Sequence, residues 1–182
     1  MTERLTPEDW IAAGFRALAK SGSAGLKAEK LARDLGTTKG SFYWHFKDVP
    51  AFHDAMLGLW QSKAVTDIIE SLAPIDPPED RLRALVRVAS TPTSDHFGGA
   101  PIEPAIRAWS LQNERVAEGV ARVDTARIKY LEELLVVCGQ PASRAVLVYG
   151  AYVGLDDLGA KSHPDAPSAL SDLIELVLSA SD

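Results

Sequence analysis

The stretch Gly36-Thr37-Thr38-Lys39-Gly40-Ser41-Phe42-Tyr43-Trp44-His45-Phe46 packs hydroxyls, an amine, an imidazole and an indole into one short segment. Read as a short helix capped by Thr38, it places Thr38, Lys39, Ser41 and Trp44 where small and polar groups could reach base edges in a DNA major groove. Tyr43, His45 and Lys47 supply a hydroxyl, an imidazole and an ammonium suited to phosphate oxygens. Gly40 costs about 1 kcal/mol of helix stability relative to alanine, so its presence calls for a reason, and close approach of backbone to DNA is one. Phe42 and Phe46, four apart, are expected to face inward. An aromatic-rich helix that merely covers a core is the plainer reading. Against it, Phe42, Tyr43, Trp44, His45 and Phe46 are consecutive, too crowded for one buried stripe, and exposed aromatics beside cations mark a binding surface.

The rest of the chain offers little chemistry of other kinds. His53, His96 and His163 lack the i, i+4 partners of a metal site, and no nucleophile–base pairing or phosphate-cradling glycine loop occurs, so no catalytic residues and no metal are expected. Asp156-Asp157 and Glu132-Glu133 read as solvated faces. Large amphipathic side chains that could line a small-molecule pocket are Met56, Trp60, Phe97, Trp109, Tyr130 and Tyr152, each open also to a plain core role. Arg107 could meet an acidic effector or form a buried ion pair.

The elements that must position these residues are helices. Thr6-Pro7-Glu8-Asp9 starts the first, with Trp10, Ile11, Phe15 and Leu18 as its apolar stripe and a Gly-rich stop at Ser21–Gly25. Lys27 to Leu35 forms a second, ended by Gly36, and Thr38 to about His45 a third, the two-helix pattern of a helix-turn-helix with Ala32 small at the crossing. Asp48 caps a longer helix from Val49 towards Leu72, and Pro74 to Pro78 breaks it. Further helices span Glu79 to Ala89, Pro101 to Leu111, Glu114 to Val137, Ala142 to Leu158 and Pro167 to Ala180, with a loop over Thr91 to Ala100. The expectation is an all-α protein of about nine helices. Residues 1–48 form a three-helix DNA-binding domain, and residues 49–182 a helical ligand-binding and dimerisation domain.

Charge agrees in part. The chain carries a net −6, yet residues 1–50 hold eight basic and six acidic residues, and residues 51–182 hold eleven and nineteen. Only the front third suits phosphates. One cysteine, Cys138, excludes a disulfide framework. The absence of a signal-like N-terminus or a span of ~20 apolar residues leads to the expectation of a cytoplasmic protein that does not engage a membrane.

The run from Leu31-Ala32 through Gly36, Lys39-Gly40-Ser41, Tyr43 and His45-Phe46, with Gly14-Phe15 in the helix before it, resembles the TetR family signature over about residues 8–56. The resemblance implies three N-terminal DNA-binding helices, a homodimer built on the last two helices, a palindromic double-stranded operator and an unidentified small-molecule effector rather than a cofactor. It places Lys27, Thr38, Lys39, Gly40, Ser41, Tyr43, Trp44, His45 and Lys47 at the DNA, with repression relieved by the effector. Two positions depart from the pattern. Val49 stands where relatives carry a phosphate-binding lysine, with Lys47 as the nearest substitute, and Lys27 stands where the second helix usually opens with threonine. Apolar stripes Ala145, Val148, Tyr149, Tyr152, Val153 and Leu170, Leu173, Ile174, Val177, Leu178 exceed what a terminal hairpin needs, and a two-fold four-helix interface would bury the surplus. A small all-α enzyme and an effector-free architectural DNA-binding protein are the rival classes.

Overall fold

Helix α1, Pro7–Ser21, begins where local chemistry dictates. Thr6 Oγ1 accepts from the Asp9 amide at 3.3 Å, Asp9 Oδ2 accepts from the Thr6 amide at 2.7 Å, and Pro7 occupies the first turn. A computed structural model describes residues 5–90, 97, 102–159 and 165–180, and no strand occurs among them. After a single 3₁₀ turn at Gly22–Gly25 come α2, Ala28–Asp34, and α3, Lys39–His45. The long helix expected from Val49 resolves into three consecutive segments: α4 at Val49–Gln61, a π turn at Ser62–Thr66, and α5 at Asp67–Leu72. Then follow α6, Pro78–Ser90, α7, Glu103–Ser110, α8, Glu114–Val137, α9, Arg144–Gly159, and α10, Ala166–Ser179. Counting the three central segments as one gives nine helices among the described residues. Of the loop expected over Thr91 to Ala100, only Phe97 is described; His96 and His163 also lie outside the described residues.

Two units divide the chain, residues 1–61 with 92–120 and residues 62–91 with 121–182. The first is organised around Phe42, fully buried, whose ring meets Trp10, Phe46 and Phe52 with centroids 5.3 Å apart in each case. The predicted α1 stripe of Trp10, Ile11, Phe15 and Leu18 is buried throughout. Gly14 lets α4 lie close against α1. A Cβ there would sit 2.6 Å from Phe52 Cζ and 2.8 Å from Met56 Sδ.

The second unit has its own core of Leu82, Val86, Leu131, Leu134, Leu135, Ala145, Val148, Tyr149, Leu170 and Ile174. Arg83 ties α6 to α10 through Glu175 at 2.7 Å. The stripes of α9 and α10 divide: Ala145, Val148, Tyr149, Leu170 and Ile174 are buried in the unit's own core, while Tyr152, Val153, Leu173, Val177 and Leu178 pack against it and are only partly buried. More apolar surface lies outside those stripes, exposed at Val146, Leu147 and Leu158 of α9 and Leu176 of α10. Periodicity detects apolar residues in excess but does not say which of two apolar faces turns inward.

Candidate nucleic-acid interface and effector cavity

The turn between α2 and α3 is built from backbone. Gly36 takes φ +64°, the Gly36 amide donates to Arg33 O at 3.1 Å and the Thr37 amide to Ala32 O at 2.8 Å. That pair of bonds is a Schellman stop, which needs a residue without Cβ strain at Gly36. Ala32 is buried beneath it. Thr38 then caps α3, its hydroxyl accepting from the Ser41 amide at 3.3 Å. Asp48 caps α4 in the same manner, accepting from the Ala51 amide at 2.8 Å.

With Phe42 and Phe46 anchored inside, the remaining side chains of α3 must face out. Tyr43 is 44% exposed and Trp44 79%. Thr38, Gly40, Ser41, Trp44 and His45 line one open, shallow concavity. Lys27, Lys39 and Lys47 are exposed, Lys27 as the residue that precedes α2 without capping it. A Cβ on Gly40 would meet only Thr38 Oγ1, at 3.6 Å, so nothing inside the protein requires glycine there. Lys39 is engaged: its ammonium pairs with Glu29 and stands 5.8 Å from the centre of the Tyr43 ring. The hydrogen bond with Lys39 holds the Glu29 carboxyl below its ordinary range, and the same bond raises the Lys39 ammonium. Glu29 is ten residues from Lys39, a pairing that no helical spacing announces.

The residues expected to line a ligand pocket part company. Met56, Trp60, Phe97 and Trp109 are buried in the first unit. There Trp60 Nε1 donates to Glu103 Oε2 at 3.3 Å, and Arg107 pairs with Glu103 at 3.0 Å, the ion-pair alternative for that residue. His53 stacks edge-on to Trp109 at 4.9 Å, and burial lowers its imidazole pKa.

Tyr130 and Tyr152 instead border a cavity of about 80 Å³ in the second unit, together with Ile68, Ile69, Leu85, Val86, Leu131, Arg127 and Tyr149. Arg127 is fixed from two sides, with Nε donating to Ala64 O at 3.1 Å and Nη1 to the Tyr149 hydroxyl at 3.4 Å. The Tyr149 hydroxyl in turn donates a hydrogen bond to Asp124 Oδ1 at 2.7 Å, and the guanidinium lies 5.6 Å from the Tyr152 ring centre. Burial raises the Tyr149 phenol, so it stays a neutral donor. Arg127 was legible: a cation four residues after Val123 and four before Leu131, on a stripe otherwise apolar. No group of His, Cys, Asp and Glu able to hold a metal occurs among the described residues.

Residues 11–48, the segment just built, match the profile of bacterial regulatory proteins of the tetR family. That segment is similar to the N-terminal part of tetR-family regulators. Solved structures extend the likeness over nearly its whole length. A Rhodococcus protein described as a TetR-family transcriptional regulator is 23% identical, with 98% of this chain and 100% of that one covered and a TM-score of 0.74. Escherichia coli NemR in its reduced form is 18% identical over 94% and 95%, with a TM-score of 0.76. A Saccharomonospora viridis protein described as a transcriptional regulator, solved with choline, is 17% identical over 92% and 95%, with a TM-score of 0.77. At these identities the likeness establishes the fold. No curated protein matches the chain in sequence. No helix among the described residues is long and apolar enough to cross a membrane.

Proposed function

We propose that this TetR-family protein is a homodimeric repressor of the cytoplasm that leaves a palindromic operator when a small molecule fills the cavity of the second unit. The observation that carries the reading is the outward face of α3, where Thr38, Ser41, Trp44 and His45 frame an open concavity with no core role of their own. Thr38, Lys39, Gly40, Ser41 and Trp44 face base edges. Tyr43, His45, Lys47 and Lys27 hold the phosphates, with Lys47 doing the work of the lysine that Val49 replaces. Residues 1–48 bind DNA, and residues 49–182 hold ligand and partner. Two copies of α3 enter successive major grooves, ~34–36 Å apart, and ligand and operator weaken each other by the same factor.

The partner covers the apolar surface left on the last two helices: Val146, Leu147 and Leu158 of α9 and Leu176 of α10. A dimer joined there explains why α9 is apolar on both faces. The test is selection of an operator from random duplex DNA by the purified protein, followed by binding measured against salt. A two-fold symmetric site, bound with a steep salt slope and lost in Trp44→Ala, is expected. Binding that is indifferent to sequence would refute the reading in favour of an architectural protein. Sedimentation of Leu147→Glu tests the dimer, which should dissociate with its helicity intact.

A further inference from the structure

The Glu29–Lys39 pair sets a carboxylate of α2 and an ammonium of α3 in direct contact, with side chains 56% and 50% exposed. Lys39 stands in the first turn of α3, between Thr38 and Gly40 of the open concavity. An ammonium has three N–H donors, and the bond to Glu29 takes one, so two remain. The Tyr43 ring, 5.8 Å from the nitrogen, steadies the cation without taking a proton. The Glu29 carboxylate offers about four acceptor sites. Lys39 and the residue's own backbone amide leave part of these open. As a unit the pair is neutral, and Glu29 would repel a phosphate drawn to Lys39. Its chemistry suits the uncharged edge of a base pair, where donors and acceptors stand side by side.

We propose that Glu29 and Lys39 together read one G·C pair in each operator half-site: Lys39 donates to N7 and O6 of the guanine, and Glu29 accepts from N4 of the paired cytosine. The match is one of donors and acceptors. In the major groove guanine shows two acceptors and cytosine one amine, and O6 and N4 are neighbours because they are hydrogen-bonded to each other within the base pair. Two remaining donors and a carboxylate in contact with them meet that pattern in full. An A·T pair shows a single acceptor, N7, beside the N6 amine, with thymine O4 and its methyl beyond, so the second Lys39 donor would face an amine. The inference rests on the reading of α3 as the helix that meets DNA. It adds a base pair, and a residue of α2 that the face of α3 alone leaves out.

The test scans the duplex that the full-length protein selects from random DNA, with every base pair tried at each position and affinity read by fluorescence anisotropy. One position in each half-site should prefer G·C at least tenfold. Lys39→Met and Glu29→Ala should each cut that preference to a few-fold or less, at that same position and at no other. Glu29→Gln keeps an oxygen acceptor and should retain part of it. Base analogues then separate the two contacts. At that position 7-deazaguanine, which lacks N7, should weaken binding by the parent and not by Lys39→Met. N4-methylcytosine, whose methyl replaces the amine hydrogen facing the groove, should weaken the parent and not Glu29→Ala. Both side chains are exposed, so the variants should keep the parent's helicity by circular dichroism. Relaxation at two different positions, a preference for A·T at the shared one, or an even loss over all sequences overturns the proposed pairing and leaves the operator reading intact. Parent binding that is indifferent to sequence overturns the operator reading, and the inference with it.

Discussion

Gly40→Ala separates the stability of α3 from its function. Glycine within a helix is worse than alanine by roughly 0.5–1 kcal/mol, because its unfolded chain has more freedom to lose. The added methyl would find only Thr38 Oγ1, at 3.6 Å, an ordinary contact, so no clash offsets the gain. The variant should therefore be more stable, with Tm raised by ~1–4 °C for a chain of this length. If Gly40 is kept so that the backbone of α3 can approach the bases, the same methyl should weaken operator binding at least tenfold, ~1.4 kcal/mol. Gly58→Ala is the matched control. Gly58 is exposed within α4 and a Cβ there meets nothing within 4 Å, so stability should rise while operator affinity stays level. Urea unfolding and fluorescence anisotropy with the selected operator read the two quantities on the same preparations. A Gly40→Ala protein that binds the operator as well as the parent would refute the close-approach explanation. One that is less stable would refute the packing read from the structure.

Gly14→Ala should act in the opposite sense, costing about 1–3 kcal/mol in urea unfolding, because its Cβ would overlap the buried Phe52 and Met56 side chains. Lys47→Met, which removes a phosphate contact, should lower operator affinity for every sequence and reduce the salt slope by about one counterion. Glu29→Gln, which removes the carboxylate that competes for Lys39, should raise affinity at low salt. His53 gives a pH signature. Its imidazole pKa is lowered in the fold from an ordinary 6.5, so the unfolded chain binds the proton more readily. The stability this contributes is present above pH ~6.5 and is lost as pH falls towards the folded value. The urea midpoint should drop between pH 7.5 and pH 5.5, and His53→Gln should flatten that drop. An unchanged slope in the variant would assign the acid sensitivity to other groups.

The parts of this molecule that were legible in sequence are those fixed over three to five residues. The Thr6–Asp9 box, the Gly36 stop and the Thr38 and Asp48 caps are local bonds, and each falls where composition placed it. The outward display of Tyr43 and Trp44 also followed, since five consecutive bulky rings cannot all face one core. What escaped depends on distant partners. Met56, Trp60, Phe97 and Trp109 are as amphipathic as Tyr130 and Tyr152, yet they fill the first unit while the tyrosines border the cavity of the second. The Glu29–Lys39 pair and the contact of Arg127 with Ala64, inside a π turn, likewise join residues whose spacing says nothing of their meeting.

Helix α9 shows why that distinction matters for regulation. Its inner face, through Val148, Tyr149 and Tyr152, forms part of the cavity wall. Its outer face carries Val146, Leu147 and Leu158, exposed in the single chain. In the proposed dimer these two faces put ligand and partner on opposite sides of one helix, separated by a single helix diameter of ~10 Å. An occupant that displaces Tyr149 or Tyr152 must move the backbone that presents Leu147, because close-packed interiors shift as units rather than absorb strain locally. On the proposed reading, ligand and partner thus act on one helix from opposite sides. Shortening Tyr152 to Leu enlarges the cavity without altering the outer face. It should weaken the link between ligand binding and operator release while leaving dimer and operator affinities unchanged, and a variant that still couples as strongly as the parent would show that the signal travels by another helix.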